Sequence, residues 1–393
     1  MIVINSHLTS LPLYQKKVIV RADLNIPFCD KGKKIISDHK LKAIKPTIDY
    51  ILKKGGTVIL ITHIGRPTKG EPFHSTALLL PWFYKHGYSI HHKTDLFPLD
   101  KNIHAPLILL ENIRSFPGEK TNDIFFAQQL AQLGHYYVND AFGSLHNHDT
   151  SLTLLPQLFS SQYRTIGFLV ERELHQLHHL FHSPQRPLTL ILGGKKIKTK
   201  LTILKTLLPL FDRILLTPAL VFTLLKALKQ SIGASLVDDA SLELARNLLQ
   251  HSSSNHFFFP RDYRVSLHDF SSPLLSYSVD ADSLKDQLVG VTIGPKTESF
   301  FSDLISSSET ILMNGLCGDA CRVETLSGVA SLLRTMCLSK KRTILAGGDT
   351  IGAAESLSFS TESFTYCSTG GGSLLAYLSS EHLPGLLPFV SKD

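Results

Sequence analysis

The stretch VIVRADLNIP (residues 18–27) runs apolar for three residues and then delivers Arg21, Asp23 and Asn25. A continuous apolar run without alternation marks a strand buried on both faces of a parallel sheet. In open α/β sheets, ligands bind outside the carboxyl ends of the strands, so the residues just after each run carry information. The same order recurs three times in the first half. VILITHIGRP (58–67) leads to His63, Gly65 and Arg66, and LILLENIR (107–114) to Glu111, Asn112 and Arg114. YYVNDAFGSLHNHD (136–149) leads to Asp140, His146 and His148. Four strand ends carrying Arg, His and Asn make an anion-binding floor, because the planar guanidinium fork matches phosphate and carboxylate oxygens. The plainer reading, a solvated charge or structural ion pair at each loop, suits any one of them but does not account for the shared pattern.

The second half repeats the order with more glycine. LILGGKKIKTK (190–200) is a strand, the turn Gly193-Gly194, and a helix start bearing Lys195, Lys196, Lys198 and Lys200. ILAGGDTIGAA (344–354) passes through Gly347 and Gly348 into Asp349 and Thr350, and TYCSTGGGS (365–373) is a third glycine turn before a helix. Glycines let backbone approach phosphates, and a helix N-terminus adds partial positive charge. Thr350 is suited to cap its helix and Asp349 to hold a magnesium ion bridging phosphates. No Walker A loop or complete GxGxxG occurs. Three such turns, one with a lysine cluster and one with an acid, point to a Mg-nucleotide site rather than to simple tight turns.

Outward from these stretches, strands are expected at 17–20, 57–61, 106–110, 136–138, 188–192, 290–293, 310–313 and 343–345. Helices are expected at 40–53, 123–133, 201–211, 241–249 and 324–336. The alternation makes this an α/β chain of βαβ units. At 393 residues it is too long for one ordinary core. The expectation is two doubly wound parallel-sheet (Rossmann-like) domains separated by a cleft and hinge. The boundary falls at 170–187, where a helical segment ends in SPQRP (183–187) and two prolines stiffen the crossing.

An apolar fraction of 43% against 19% charged residues is that of a soluble globular chain and argues against disorder. The net charge of +7 favours anionic partners without naming them. The start of the chain lacks a basic segment followed by an apolar one, so no signal peptide is expected. The run 214–225 is too short to span a membrane, which takes about 20 apolar residues. Five scattered cysteines argue for a reducing compartment, and a cytoplasmic location is the expectation.

The motifs RADLNIP, THIGRP, LLENIR with GEKTND, VNDAFGS, GFLVEREL, the Gly-Gly-Lys run ending KTKLTIL, TIGPKT, AGGDT and STGGG stand in this order across nearly the whole chain. In this the chain resembles the phosphoglycerate kinases, and GEK after LLENIR resembles their bacterial branch. The resemblance implies reversible phosphoryl transfer between 1,3-bisphosphoglycerate and ADP, giving 3-phosphoglycerate and ATP. It implies an N-terminal domain (1–169) that binds 3-phosphoglycerate through Asp23, Leu24, Asn25, Lys40, His63, Ile64, Gly65, Arg66 and Arg114, with Arg21 in support. After the interdomain helix and hinge, a C-terminal domain (188–373) binds Mg-ADP or Mg-ATP through Gly193, Lys196, Lys200, Asn314, Gly347, Gly348, Asp349 and Thr350. Lys200, Lys40 and Gly348 serve the transfer, Asp349 the Mg2+, and residues 374–393 pack back on the first domain. Small-molecule substrates are implied, with no nucleic acid or membrane partner, and a monomer is the expectation because a two-lobed closing enzyme gains nothing obvious from assembly. Charge at strand ends without aromatic interleaving also speaks against nucleic acid.

The match departs at the site itself. Lys40 stands where the family usually has an arginine, Asn147 where it has a substrate-binding arginine, and Asp149 where it usually has a histidine. Thr217-Pro218-Ala219 replaces a glycine triplet, and Cys321 aligns with a ribose-binding glutamate for which Glu324 is a candidate substitute. The residues leave two readings: a working, divergent kinase, or a catalytically weakened relative kept as a binding or moonlighting protein. His175, His178, His179 and His182 share a helix face with Glu171, a possible metal stripe. The resemblance of GFLVEREL to the start of an interdomain helix favours a structural role. Cys317 and Cys321 would pair at a metal only if a turn or helix brought them together, which is not the favoured reading, and His91-His92 is read as loop.

Overall fold

The computed structural model describes residues 6–26, 28–29, 34–35, 37–65, 74–97, 104–251, 256–380 and 382–390. The chain divides into two compact units, Met1–His178 with Glu381–Asp393, and His179–Ser380.

In the first unit the strands are β1 (Lys17–Ala22), the short pair β2 (Phe28–Cys29) and β3 (Lys34–Ile35), β4 (Thr57–Ile61), β5 (Ile90–Lys93), β6 (Leu107–Leu110), β7 (Tyr136–Asp140) and β8 (Arg164–Ile166). Six of them form one sheet in the order β5-β6-β4-β1-β7-β8, and its pairings are all parallel. β1 lies between β4 and β7, so connections run one way from it and then the other. The topological crevice therefore opens beside the end of β1. Helix His39–Lys53 presents Leu41, Ile44, Ile48 and Ile51 to Val18, Val20, Val58 and Leu60 of the sheet. That spacing is one helical stripe, and each such side chain contributes roughly 1.5–3 kcal/mol as it leaves water. Residues 382–390 complete this unit. Gly385 N donates to Leu145 O at 2.9 Å, Asn139 Nδ2 donates to Gly385 O at 3.0 Å, and Phe389 stacks on Tyr137.

The second unit holds β9 (Leu188–Leu192), β10 (Arg213–Leu216), β11 (Phe257–Phe258), β12 (Asp262–Leu267), β13 (Leu274–Asp280), β14 (Leu288–Ile293), β15 (Thr310–Asn314), β16 (Arg342–Ala346) and β17 (Tyr366–Ser368). Its main sheet runs β11-β10-β9-β15-β16-β17 with every pairing parallel, and the order reverses between β9 and β15. Helices Pro295–Ser306 and Ser327–Leu338 cover the sheet with Phe301, Ile305, Val329, Leu332, Leu333 and Met336. No helix among the described residues is long and apolar enough to cross a membrane.

Two readings change. The apolar run at 290–293 belongs to β14, which pairs antiparallel with β12 in a separate three-stranded sheet, β13-β12-β14. Its continuous burial comes from its own helix packing, which apolarity alone does not distinguish from a parallel strand. His91-His92 is not loop: both residues lie in β5, the edge strand, where exposure on one side tolerates polar side chains.

Candidate active site

In the first unit, the ends of β1, β4, β6 and β7 gather most of the expected floor. Arg21, the last charged residue of β1, is fully buried. Its Nε donates to Ser151 Oγ at 2.7 Å, Nη1 to Ala22 O, and Nη2 to His63 Nδ1 at 3.2 Å, while Glu119 lies 3.7 Å from Nη2. Arg21 thus braces the floor from beneath and presents no free face. Glu119 and Ser151 were not singled out by sequence, although Glu119 sits inside the quoted GEKTND. Ser151 donates to both Glu119 carboxylate oxygens, from Oγ at 2.7 Å and from its amide at 2.9 Å. Burial pushes the Glu119 carboxyl up, against the pull of Arg21 and Ser151.

Because an arginine can only donate, His63 Nδ1 accepts from Arg21 and its proton stands on Nε2. Burial lowers the His63 pKa, and the cations Arg21, Arg114 and Lys40 lower it further against Asp23, so the ring is neutral near pH 7. Its Nε2–H is 4.0 Å from Asp23 Oδ1, too long for a hydrogen bond and available to a ligand oxygen. Asp23 pairs with Lys40 at 2.9 Å and accepts from Asn25 N at 3.1 Å. Burial raises the Asp23 carboxyl, but Lys40 and His63 outweigh it and hold the group well below the usual carboxylate range.

Loop backbone is fixed just as firmly. Leu24 is buried and donates its amide to Thr62 Oγ1 at 2.9 Å. Asn25 Oδ1 accepts from Gly65 N at 2.9 Å, and Gly65 adopts φ +69°, a left-handed turn that glycine tolerates. Ile64 is buried, and its carbonyl accepts from Asn112 Nδ2 at 2.7 Å. Asn112 and Glu111 are scaffold, not floor. Glu111 accepts from Thr76 N at 2.7 Å and Ser75 Oγ at 2.6 Å, and Asn112 also holds His74 O at 2.8 Å. Arg114 donates Nη1 to Gly65 O at 3.0 Å and Nη2 to Asp149 at 3.2 Å. Asp140 turns away to the start of helix Phe168–His182, accepting from Val170 N at 3.0 Å, and burial pushes its carboxyl up to about 7. Arg66 lies outside the described residues.

In the second unit the polar groups gather where the strand order reverses. Lys200, in the first turns of helix Ile197–Leu207, folds back and donates Nζ to Gly193 O and, at 3.1 Å, to Asn314 O. The ends of β9 and β15 thus share one ammonium across the switch point. Burial pushes Lys200 down to about 7, with Lys196 adding to the effect and Asp349 opposing it. Lys196 occupies the N-cap of that helix and makes no side-chain cap. Gly315 at φ +95° could not carry a Cβ, which would fall 2.1 Å from Gly193 O. Gly347 at φ +96° and Gly371 approach backbone to backbone, and Asn314 Nδ2 ties β15 to Ala346 O at 3.1 Å. Gly348 and Asp349 open helix Gly348–Ser356, whose first amides have no intrahelical partner. Thr350 does not cap that helix, as its sequence position had suggested. It lies inside the first turn, where its Oγ1 accepts from Gly315 N at 2.9 Å.

Among the departures, Thr217 is buried with its Oγ1 against Gly193. Cys321 is exposed and Cys317 buried, the latter's thiol pushed up to about 11 by burial. Glu324 pairs with Arg322 at 3.0 Å, and the same guanidinium holds Phe270 O and Ser272 O. Among the described residues, no three His, Cys, Asp or Glu side chains are grouped to hold a metal. One carboxylate at a helix start, Asp349, does fit a magnesium ion, which keeps waters and takes its other ligands from phosphate oxygens.

Two doubly wound parallel sheets, one ending in a floor of cations and the other in glycine turns around a lysine, define a phosphate-handling α/β protein of two units. The family model described as Phosphoglycerate kinase matches residues 8–381. The phosphoglycerate kinase of Chlamydia pneumoniae is 36% identical, covering 94% of this chain and 95% of that protein. Phosphoglycerate kinase 1, chloroplastic, of Arabidopsis thaliana is 34% identical over 97% of this chain and 80% of its own length. The solved phosphoglycerate kinase of Coxiella burnetii superposes with a TM-score of 0.74 at 26% identity, covering 97% of each chain. That of Pyrococcus horikoshii OT3 reaches 0.83 at 24% identity over 98% of each, a likeness of fold. The chain belongs to the phosphoglycerate kinase family.

Proposed function

We propose that this chain transfers a phosphoryl group from the acyl phosphate of 1,3-bisphosphoglycerate to ADP, reversibly, with a carboxylate as the acceptor in the ATP-consuming direction. The observation that carries the reading is Lys200 at the β9–β15 switch point, within a family match spanning residues 8–381. The first unit holds the glycerate ligand through His63 Nε2–H, the Asn25 side-chain Nδ2, Lys40 and Arg114. The second holds the nucleotide phosphates through Lys196, Lys200, the Gly193 and Gly347-Gly348 turns and the start of helix Gly348–Ser356.

Phosphoryl transfer asks for in-line placement and positive charge around the three equatorial oxygens. The O–P bond to the acyl oxygen breaks as a terminal oxygen of ADP bonds to phosphorus. The departing carboxylate is already ionised near pH 7, so no general base is required. Asp349 would hold Mg2+, which neutralises phosphate charge when bound. Lys200 exchanges two carbonyl partners for phosphate oxygens. We further propose that the chain acts as a cytoplasmic monomer.

Calorimetric titration tests the two halves separately. Mg-ADP binding is expected to weaken at least tenfold in Lys200→Ala while 3-phosphoglycerate binding is retained, and His63→Ala is expected to do the reverse. Equal losses of both ligands in either variant would contradict this division of labour.

A further inference from the structure

Asp149 stands at the N-cap of the short helix Thr150–Thr153, yet its side chain makes no capping bond. The carboxylate turns away from the helix amides and lies between two cations. Oδ2 accepts from Arg114 Nη2 at 3.2 Å, and Oδ1 accepts from Lys120 Nζ at 2.5 Å. Asp149 is almost wholly buried, and so is Arg114, whereas Lys120 is half exposed. Burial raises the Asp149 carboxyl, but Lys120, Arg21 and Arg114 outweigh it, so it is ionised near pH 7. The Arg114 Nε is buried without a hydrogen-bond partner. Its fork therefore spends one arm on Gly65 O and the other on a carboxylate the protein supplies itself.

The other described cations of the floor are answered likewise. Lys40 meets Asp23 at 2.9 Å, and Arg21 lies 3.7 Å from Glu119. Lys40 and Asp23 are both among the residues already read as the ligand site, and Arg21 is buried beneath them. Asp149 differs, because it sits on Arg114, the one arginine among the described residues whose fork also braces the Gly65 turn. An oxyanion arriving at Arg114 finds its place taken. Replacing a single carboxylate charge with a phosphate dianion gains Coulomb energy, whereas replacing it with another carboxylate gains little.

We propose that Asp149 is a built-in carboxylate that holds the oxyanion position on Arg114 and Lys120, and that an anionic ligand binds by displacing it. This deepens the reading of the first unit as the 3-phosphoglycerate half and rests on it. Asp149 is then a specificity-determining residue: it weakens all anions and favours dianionic phosphate over simple carboxylic acids.

The test compares the full chain with Asp149→Asn and Asp149→Glu by calorimetric titration of 3-phosphoglycerate and of sulfate, alongside thermal melting. In Asp149→Asn both anions are expected to bind about fivefold tighter, the worth of one partly screened ion pair, while the melting temperature falls. Asp149→Glu keeps the native affinities. A brace with no role in ligand exchange would lose stability and affinity together, so unchanged or weaker anion binding in Asp149→Asn overturns the proposal. If sulfate tightens while neither protein binds 3-phosphoglycerate, the exchange stands and the assignment of the substrate falls.

Discussion

Lys200 shows how a single residue's surroundings become a functional property. Its ammonium has exchanged water for two backbone carbonyls beside the positive charge of Lys196, and burial pushes it down to about 7. The folded-state value lies below the unfolded one, so between about pH 7 and 10 the unfolded chain binds more protons and stability rises with pH. Bound phosphates supply the negative charge that the free site lacks, and they restore the proton. Mg-ADP binding at pH 8 should therefore take up about one proton, and at pH 6 almost none. Calorimetry in buffers of different ionisation enthalpy reads this directly. Uptake that persists in Lys200→Met would assign the proton elsewhere. The arrangement was only half visible in LILGGKKIKTK: the lysine cluster was plain, but which lysine folds onto the ends of both strands depends on β15, more than 100 residues away.

At the scale of elements, the strand–turn–helix unit positions every group discussed. The turn at Gly193 is closed by the next strand's end, for a Cβ there would lie 1.9 Å from Thr217 Oγ1 and 3.0 Å from Leu316 O. Gly193→Ala should cost about 1–3 kcal/mol by overpacking. Removing the opposing hydroxyl in Gly193→Ala/Thr217→Ala should restore part of it, as read by denaturant melting. A double variant no more stable than the single one would show that Leu316 O is the obstacle. β1, β4, β9 and β15 were legible in the sequence because strands buried on both faces announce themselves as unbroken apolar runs. β5 was not, since an edge strand can carry IHHK without cost, and β14 was legible as a strand but not as a member of a different sheet. Side-chain partnerships were the least legible. Nothing local ties Arg114 to Asp149 or Arg21 to Ser151, because each pair is made only when separate strand ends converge.

At the scale of the whole molecule, the proposed function gives each unit one half of a phosphoryl-transfer chemistry, at its own sheet's crevice. The order of motifs made the family readable. The departures at Asn147, Asp149, Thr217 and Cys321 leave two retained groups in place, His63 neutral with its proton on Nε2 and Lys200 across β9 and β15, and the departure at Lys40 keeps a cation on Asp23. Asp149 has turned one cationic corner into a paired one, which on the exchange proposed above is expected to alter affinity and not the chemistry. If these groups suffice for catalysis, the chain forms ATP from 1,3-bisphosphoglycerate and Mg-ADP, and a steady-state assay reads this directly. Turnover of roughly 1–1000 per second is expected for the native chain, abolished in a folded Lys200→Ala variant. A well-folded native chain that binds both ligands and forms no ATP would contradict it.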